Sequence, residues 1–348
     1  MKWDQTEKKQ LLLYCAIAYG VTFFMGLFMW YGQKNSMDVS AFPNAQMMYP
    51  AAGVMLAYLA TRWSDKKLPK AFYFVYMVLT AALIVLAVLS AAMPDEVIVI
   101  GGAVSLWAYL QQILFMAGSI VSWILILASG RERRKAYGLN GAKWKQSVLM
   151  ILLFLGLYFL RTFIAYALGG EPGTFLEIMS GSTAWIYIAA LPLNFFLVMA
   201  PFFGEEYGWR YFLQPLLQKR FGLRGGVIVL GIVWGLWHLP VNFFYYSPGT
   251  GLQSAVGQQI TCITLGIFFA YAYMKTKNIW VPVALHYLNN NLVPVIAGDY
   301  SADVLSGNTT TWASLLPALA LNGLLFGMFL CSKVFSEKKN AGEESETA

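Results

Sequence analysis

Three short polar clusters interrupt long apolar runs of the sequence and contain the residue types that could do chemistry. Both histidines of the chain lie in these clusters. Ionisable side chains are costly at membrane depth, so each cluster is a candidate functional site. Carboxylates, imidazoles and an amide can together activate water and stabilise an oxyanion, which is the chemistry of hydrolysis. The candidate residues are Glu205, Glu206, Arg210, His238, His286 and Asn290.

The first cluster, Gly204-Glu205-Glu206-Tyr207-Gly208-Trp209-Arg210, follows an apolar run. On a helix, Glu206 and Arg210 are i and i+4 neighbours with the glutamate first, which favours an ion pair. Glu205 points about 100° away from Glu206 at 3.6 residues per turn, so it faces a different partner. The alternative is a charge cluster that marks the end of a helix at the inner membrane interface.

The other two clusters each place a histidine inside an apolar segment. Counted from Gly226, His238 lies about 18 Å along its helix, near the middle of a bilayer. Counted from Ile279, His286 lies about 10 Å deep, and Asn290 is its i+4 neighbour on the same face. The alternatives are a histidine that is hydrogen-bonded within a helix bundle and asparagines that only join helices by hydrogen bonds.

The composition is that of a membrane protein. The 348 residues include 24 basic and 17 acidic ones, 58% are hydrophobic, and the mean hydropathy is +0.57. So little charge excludes an ordinary soluble enzyme, a disordered protein and a nucleic-acid module. Cys15, Cys262 and Cys331 lie within apolar runs, which argues against a disulfide framework or a cysteine-rich zinc site.

Apolar stretches of about 18 or more residues recur along the whole chain, and each is long enough to cross a bilayer as a helix. They predict an all-α fold, a polytopic transmembrane helix bundle of about ten spans. The fourth stretch is long enough to include a bend or a re-entrant turn. The predicted spans are approximately 10–32, 44–62, 71–93, 98–129, 146–168, 184–204, 226–246, 255–274, 279–297 and 312–332.

The charges of the predicted loops indicate an orientation. With the N-terminus inside, all but two of the 24 basic residues fall in inside segments, the exceptions being Lys34 in an outer loop and Arg161 within the fifth span. The outer loops also contain seven acids, Asp38, Asp95, Glu96, Glu171, Glu177, Asp299 and Asp303. The positive-inside rule therefore predicts a multi-pass cell-membrane protein with both termini in the cytoplasm.

As a set, the three clusters resemble the CAAX protease and bacteriocin-processing family of intramembrane proteases, the Abi group. Its members carry Glu-Glu-x-x-x-Arg, Phe-x-x-x-His and His-x-x-x-Asn or Asp on successive helices. Order and spacing match here, with Trp234 in place of the Phe. The Gly-x-Ser-x-Gly and His-Glu-x-x-His motifs of serine hydrolases and helical zinc proteases are missing from the sequence.

The resemblance covers roughly residues 184–300 and implies a catalytic core of four helices. We therefore expect three regions along the chain. Residues 1–170 would form N-terminal transmembrane helices of unknown role, 171–300 the catalytic core, and 301–348 the last span and a charged cytoplasmic tail.

The resemblance also implies an activity, the hydrolysis of a peptide bond near the membrane surface. Glu205 would be the general base on a water held with His238, His286 and Asn290 would bind the oxyanion, and Glu206 and Arg210 would orient the site. Glu205, His238 and His286 could instead ligate Zn²⁺ with an open water position, so a metalloprotease and a metal-free glutamate protease are both alternatives.

The resemblance does not identify a substrate. Members of the family process prenylated proteins or precursors of peptides, so the expected partners are membrane lipid and a peptide or protein substrate, lipidated or a peptide precursor, without nucleic acid. We expect a polar conical cavity that opens to the cytoplasm or to the inner leaflet. Two other functions fit the same clusters: a non-catalytic immunity or scaffold protein that binds a peptide, and a transporter with a path to both faces.

Overall fold

The computed structural model describes residues 3–99, 103–301 and 304–336, and it is a helix bundle. The predicted all-α fold is confirmed. Two parts of the sequence-based topology lie beyond the described residues. They are Asp303, which is predicted in an outer loop, and the charged tail after residue 336, which is predicted in the cytoplasm. The short exception to the helical fold is an antiparallel hairpin of Val97–Val99 and Ala103–Ser105 at the start of the fourth apolar stretch, where the sequence allows a turn.

The helices follow one another with short connections. The first runs through Gln5–Cys15, a π-helical turn Ala16–Val21 and Thr22–Lys34. The others are Ala41–Thr61, Lys70–Ala92, Leu106–Ala128, Arg131–Ala136, Trp144–Leu168, Pro172–Ser180, Ser182–Leu197, Met199–Glu206, Gln214–Trp237, Leu239–Val241, Gly251–Thr276, Trp280–Asn291, Val293–Ala297 and Trp312–Leu325. Tyr207–Leu213 and Asn242–Tyr246 are π-helical, and Pro248–Thr250, Gly327–Cys331 and Lys333–Phe335 are 3₁₀-helical.

Each of the ten predicted apolar stretches contains a helix, but ten crossings are not confirmed as a number. In the described part of the chain, six helices are long and apolar enough to cross a membrane, or seven if the bent pair Pro172–Ser180 and Ser182–Leu197 forms one span. Trp280–Asn291 and Trp312–Leu325 have only 12 and 14 residues, which is short for a single crossing.

The predicted end of the sixth span at residue 204 is wrong. The helix Met199–Glu206 continues without a break through the π-helical segment Tyr207–Leu213 into Gln214–Trp237. Gln214–Trp237 consists of two helices that meet in a sharp bend at Gly222, whose non-helical φ of 75° is unfavourable for any residue with a side chain. The charges of the first cluster indicate a helix end, but they lie about 24 Å before this bend. They are accommodated inside the bundle because Glu206 pairs with Arg210 and Glu205 accepts from two indoles.

Two glycines on either side of the glutamate pair bring the helix Ala41–Thr61 against it. A Cβ on Gly204 would clash with the Met47 carbonyl oxygen, and a Cβ on Gly208 would clash with the Pro50 Cβ. Small residues at such spacing allow close helix contact inside a membrane. An N-terminal helix, to which the sequence assigns no role, thus forms part of the wall around Glu205 and Glu206.

The bundle has two chemically different ends. At the basic end, the segments 62–70, 131–145, 219–224 and 275–277 are rich in lysine and arginine, and the Tyr137 hydroxyl donates to Asp65 at 2.6 Å. At the acidic end, Ser105 donates to Asp38 and Asp95 at 2.6 and 3.0 Å. The described loops at this end carry Asp38, Asp95, Glu96, Glu171, Glu177 and Asp299.

Candidate active site

Three charged or polar side chains, linked by hydrogen bonds, form the bottom of the site. Arg210 Nε donates to Glu206 Oε2 at 2.8 Å, and His286 Nδ1 lies 2.9 Å from Glu206 Oε1. The spacing in the sequence predicts the Glu206–Arg210 contact, and the structure contains it. Because a carboxylate only accepts, the Nδ1 of His286 carries the hydrogen, and Nε2 is directed away from Glu206.

This ion pair is completely buried, so removing either partner would leave a buried charge without a counter-charge. The side chains of Arg210 and Glu206 are both 0% exposed. The guanidinium stacks between the rings of Trp234 and Phe269, 4.9 and 5.6 Å from their centroids, and its Nη1 donates to the Gly266 carbonyl at 3.5 Å. Cation–π contacts stabilise a cation that has lost its water. Its Nη2 has no hydrogen-bond partner in the described structure.

Glu205 is held by two indoles. Trp234 Nε1 donates to its Oε2 at 2.7 Å, and Trp209 Nε1 donates to the same oxygen at 3.1 Å. The other oxygen, Oε1, lies 4.0 Å from His286 Nε2. This separation is too long for a direct hydrogen bond and short enough for one water to contact both groups. One carboxylate oxygen is thus fixed, and the other faces the space where water can react.

Trp234 therefore does more than replace the phenylalanine of the family motif. Its ring covers Arg210, as an aromatic residue at this position would, but its indole N–H also donates to Glu205. Phenylalanine has no such donor. Trp234 thus connects the two carboxylates. Its indole N–H donates to Glu205, and the face of its ring packs on Arg210, which pairs with Glu206.

His238 lies at the end of the helix Gln214–Trp237, where the helix is interrupted before it resumes as Leu239–Val241, because Pro240 has no N–H to donate to the preceding turn. Its Nδ1 donates to the Trp234 carbonyl at 2.9 Å, which leaves Nε2 as an acceptor on the cavity side. Asn242 donates to the His238 carbonyl at 2.8 Å, and Ser254 in turn donates to Asn242 at 2.6 Å. The local backbone around the histidine is therefore fixed by a short polar chain.

The site residues meet in a cavity of about 300 Å³. Glu205, His238, His286 and Asn290 all line it, whereas Glu206 and Arg210 lie behind the wall. Asn290 accepts from the neighbouring amide of Asn289 at 3.1 Å, so its own N–H groups are left for a ligand. The predicted residues are thus brought together, four at the surface of the cavity and two as their support.

The opening of this cavity differs from the expectation. Its lining extends from Glu205 to Ser247, Leu305 and Asn308, which belong to loops of the acidic end. The sequence predicts an opening at the basic end because it places the first cluster at an inner helix terminus. The helix in fact continues past the cluster to Gly222, so the basic side of the site is filled by protein.

The residues named as metal ligands do not form a metal-binding cluster in this arrangement. Across the described ranges, no three His, Cys, Asp or Glu side chains lie close enough together to hold a metal ion. Glu205 Oε2 accepts two indole hydrogens, and His238 Nδ1 donates to a carbonyl. These contacts leave Glu205 Oε1 and His238 Nε2 for acid–base and hydrogen-bonding chemistry.

Sequence reasoning missed the contributions of two tryptophans and of three wall residues to the site. Trp209 is one helical turn from Glu205, so its position could have suggested the contact. Trp234 was identified only as an aromatic ring, and its donor role depends on a helix distant in sequence. The wall residues Pro43, Gln46 and Met47 carried no signal, because ordinary side chains become part of a site only through packing.

Comparisons with known proteins agree with the motifs. The model of a family described as Rce1-like, type II CAAX prenyl endopeptidase, matches residues 181–292. CAAX prenyl protease 2 of Methanococcus maripaludis is 27% identical over 187 residues, which cover 50% of this chain and 68% of that protein. No solved structure matches the chain significantly.

The buried ion pair gives a prediction about stability. Arg210→Met leaves Glu206 as an uncompensated buried charge, so we expect it to lower the free energy of unfolding by about 3–5 kcal/mol. The double variant Arg210→Met with Glu206→Gln removes both charges and should recover most of this loss. Thermal unfolding of the purified proteins in detergent measures both changes. A double variant less stable than Arg210→Met would contradict the ion-pair interpretation.

Proposed function

We propose that this member of the CAAX protease and bacteriocin-processing family hydrolyses a peptide bond of a membrane-associated peptide or protein. The family match and the CAAX prenyl protease relative support an intramembrane endopeptidase. The observation that carries the mechanism is the free oxygen of Glu205, which faces the cavity 4.0 Å from His286 Nε2 while its partner oxygen is fixed by two indoles.

Glu205 is the general base in this proposal. A water in the cavity donates one hydrogen to Glu205 Oε1 and the other to His238 Nε2, so its lone pair is directed at the scissile carbonyl. As the water attacks, its proton passes to Glu205, which later delivers it to the leaving amine. The fixed carboxylate and the fixed imidazole remove most of the orientational freedom of the water.

His286 and Asn290 stabilise the oxyanion. Glu206 accepts from His286 Nδ1 and fixes the ring, and in this proposal Nε2 also carries a hydrogen, which it donates to the developing negative charge. The amide of Asn290 supplies a second donor on the same face of the helix Trp280–Asn291. Arg210 pairs with Glu206 and holds it in place, so it acts through the histidine and does not touch the substrate.

The first test removes the base. Glu205→Gln keeps the size of the side chain but cannot take a proton, so cleavage should fall by at least about 100-fold. The measurement compares the membrane peptidomes of cells that produce the wild type, Glu205→Gln or the surface control Glu177→Gln. Products should accumulate with the wild type and the control only. Full cleavage by Glu205→Gln would rule out the mechanism, and a retained cellular phenotype without cleavage would favour a binding protein.

The second test separates positioning from packing. Trp234→Phe keeps a ring over Arg210 but removes the donor to Glu205. Losing a hydrogen bond to a charged group costs about 1.5–3 kcal/mol, so kcat should fall roughly 10- to 100-fold with little change in KM. The exposed Trp185→Phe is the matched control. Equal kinetics for Trp234→Phe and the wild type would show that the indole N–H plays no part.

The third test concerns zinc, the cofactor that the sequence leaves as an alternative. The proposed mechanism uses no metal, a choice supported by the finding that no three His, Cys, Asp or Glu side chains of the described residues lie close enough together to hold one. We expect purified, active protein to contain well below one zinc per chain by elemental analysis and to retain its rate after treatment with a chelator. Stoichiometric zinc whose removal stops hydrolysis would instead assign Glu205, His238 and His286 as ligands.

A further inference from the structure

The cavity has a mouth at only one end of the described bundle. Ser247, Leu305 and Asn308 line its outer part, and Asn308 and Leu305 are exposed. Gly307 and Asn308 donate through their backbone to Tyr245 and Tyr246 at 3.1 and 2.8 Å, which fixes the loop beside the mouth. These residues belong to the acidic end, on the same side as Asp38, Asp299 and Glu177.

The opposite side of the site is closed by buried aromatic residues. Tyr73, Tyr137, Phe203 and Tyr207 are at most 1% exposed. The hydroxyls of Tyr73 and Tyr207 are 2.7 Å apart, and Tyr207 donates to the Tyr137 carbonyl at 2.9 Å. With the fully buried Arg210, they form a layer between the glutamates and the basic end. No residue of the lysine- and arginine-rich segments lines the described cavity.

The charge distribution assigns these two ends to the two sides of the membrane. Lysine and arginine concentrate at the closed end, and the positive-inside rule places such an end in the cytoplasm. The open end then faces away from the cytoplasm. A protein that is lipidated in the cytoplasm would present its modified terminus on the other side of the membrane.

The wall of the cavity indicates the chemical class of its ligand. Besides Glu205 and the two histidines, the described wall has no lysine, arginine or acidic residue. Amides and hydroxyls dominate its polar part, among them Asn242, Ser254, Gln258, Thr261 and Asn289. Such groups match the donors and acceptors of a peptide backbone, and they offer no partner for a charged side chain.

We infer that the substrate reaches the site from the extracytoplasmic side, as an uncharged, extended peptide segment that enters beside Ser247, Leu305 and Asn308. That the entering molecule is a substrate rests on the proposed peptidase function, whereas the side of access rests on the geometry and the charges alone. The candidate substrates are therefore exported peptides and the outward-facing segments of membrane proteins.

The test measures which positions react with a thiol reagent that cannot cross the membrane. In a background with Cys15, Cys262 and Cys331 replaced by alanine, Leu305→Cys places a thiol at the mouth, and Ser64→Cys places one at the basic end. A charged maleimide added to intact cells should label Leu305→Cys at least tenfold faster than Ser64→Cys. Ser64→Cys should react fully once the membrane is permeabilised. The reverse pattern would overturn the assigned orientation.

A third variant tests the path into the site. Asn289→Cys lies in the wall of the cavity, next to the catalytic residues. It should be labelled in intact cells more slowly than Leu305→Cys but from the same side. Reaction only after permeabilisation, or no reaction from either side, would overturn the outward-opening water path. All variants must elute as single, folded species in detergent before their labelling rates are compared.

These outcomes can be separated from those of the peptidase tests. Labelling requires no hydrolysis, so it gives the side of access even if Glu205→Gln cleaves normally and the proposed function fails. If the function holds, a bulky maleimide on Leu305→Cys, added to intact cells, should stop cleavage, while the same adduct on Ser64→Cys should not. Continued cleavage with a blocked mouth would overturn the route while leaving the peptidase function in place.

Discussion

Two charges inside a membrane bundle have to neutralise each other, and the Glu206–Arg210 pair is the contact on which the site depends. Both side chains are fully buried, and a charge left there without its opposite partner is strongly destabilising. The consequence extends beyond the pair. Because Glu206 is already satisfied at one oxygen by Arg210, its second oxygen is available to hold His286 in one orientation. A structural ion pair thereby becomes the element that positions an imidazole in a reactive cavity.

Close helix packing is the second requirement, and it explains why small and aromatic residues alternate around the glutamates. Gly204 and Gly208 allow the helix Ala41–Thr61 to approach, while Trp209 and Trp234 bring hydrogen-bond donors to Glu205. In a medium without water, every polar oxygen needs a protein partner. Within the described structure, one oxygen of Glu205 accepts from two indoles, whereas the other has only His286 Nε2 nearby, at 4.0 Å. That asymmetry makes the second oxygen available for chemistry.

The sequence predicts the helical fold and the Glu206–Arg210 contact because both follow from local spacing. Hydropathy locates the apolar stretches, and an i, i+4 pair needs only one helix. It misplaces the end of the sixth span because a run of charges looks the same at an interface and in a paired, buried cluster. The donor role of Trp234 and the wall formed by Pro43 and Met47 come from helices distant in sequence, and no local pattern encodes them.

The closed end of the cavity also bears on which of the alternative functions the fold favours. A transporter needs a polar path that can reach both faces, whereas the described cavity ends at Arg210 and the layer of Tyr73, Tyr137 and Tyr207. Opening that layer would separate a fully buried ion pair and several aromatic contacts, which is a large cost for a cycling gate. A hydrolase has the opposite requirement. It needs water at one carboxylate and must keep the membrane sealed behind it, and a polar pocket that is open at one end and closed by aromatic packing at the other meets both conditions.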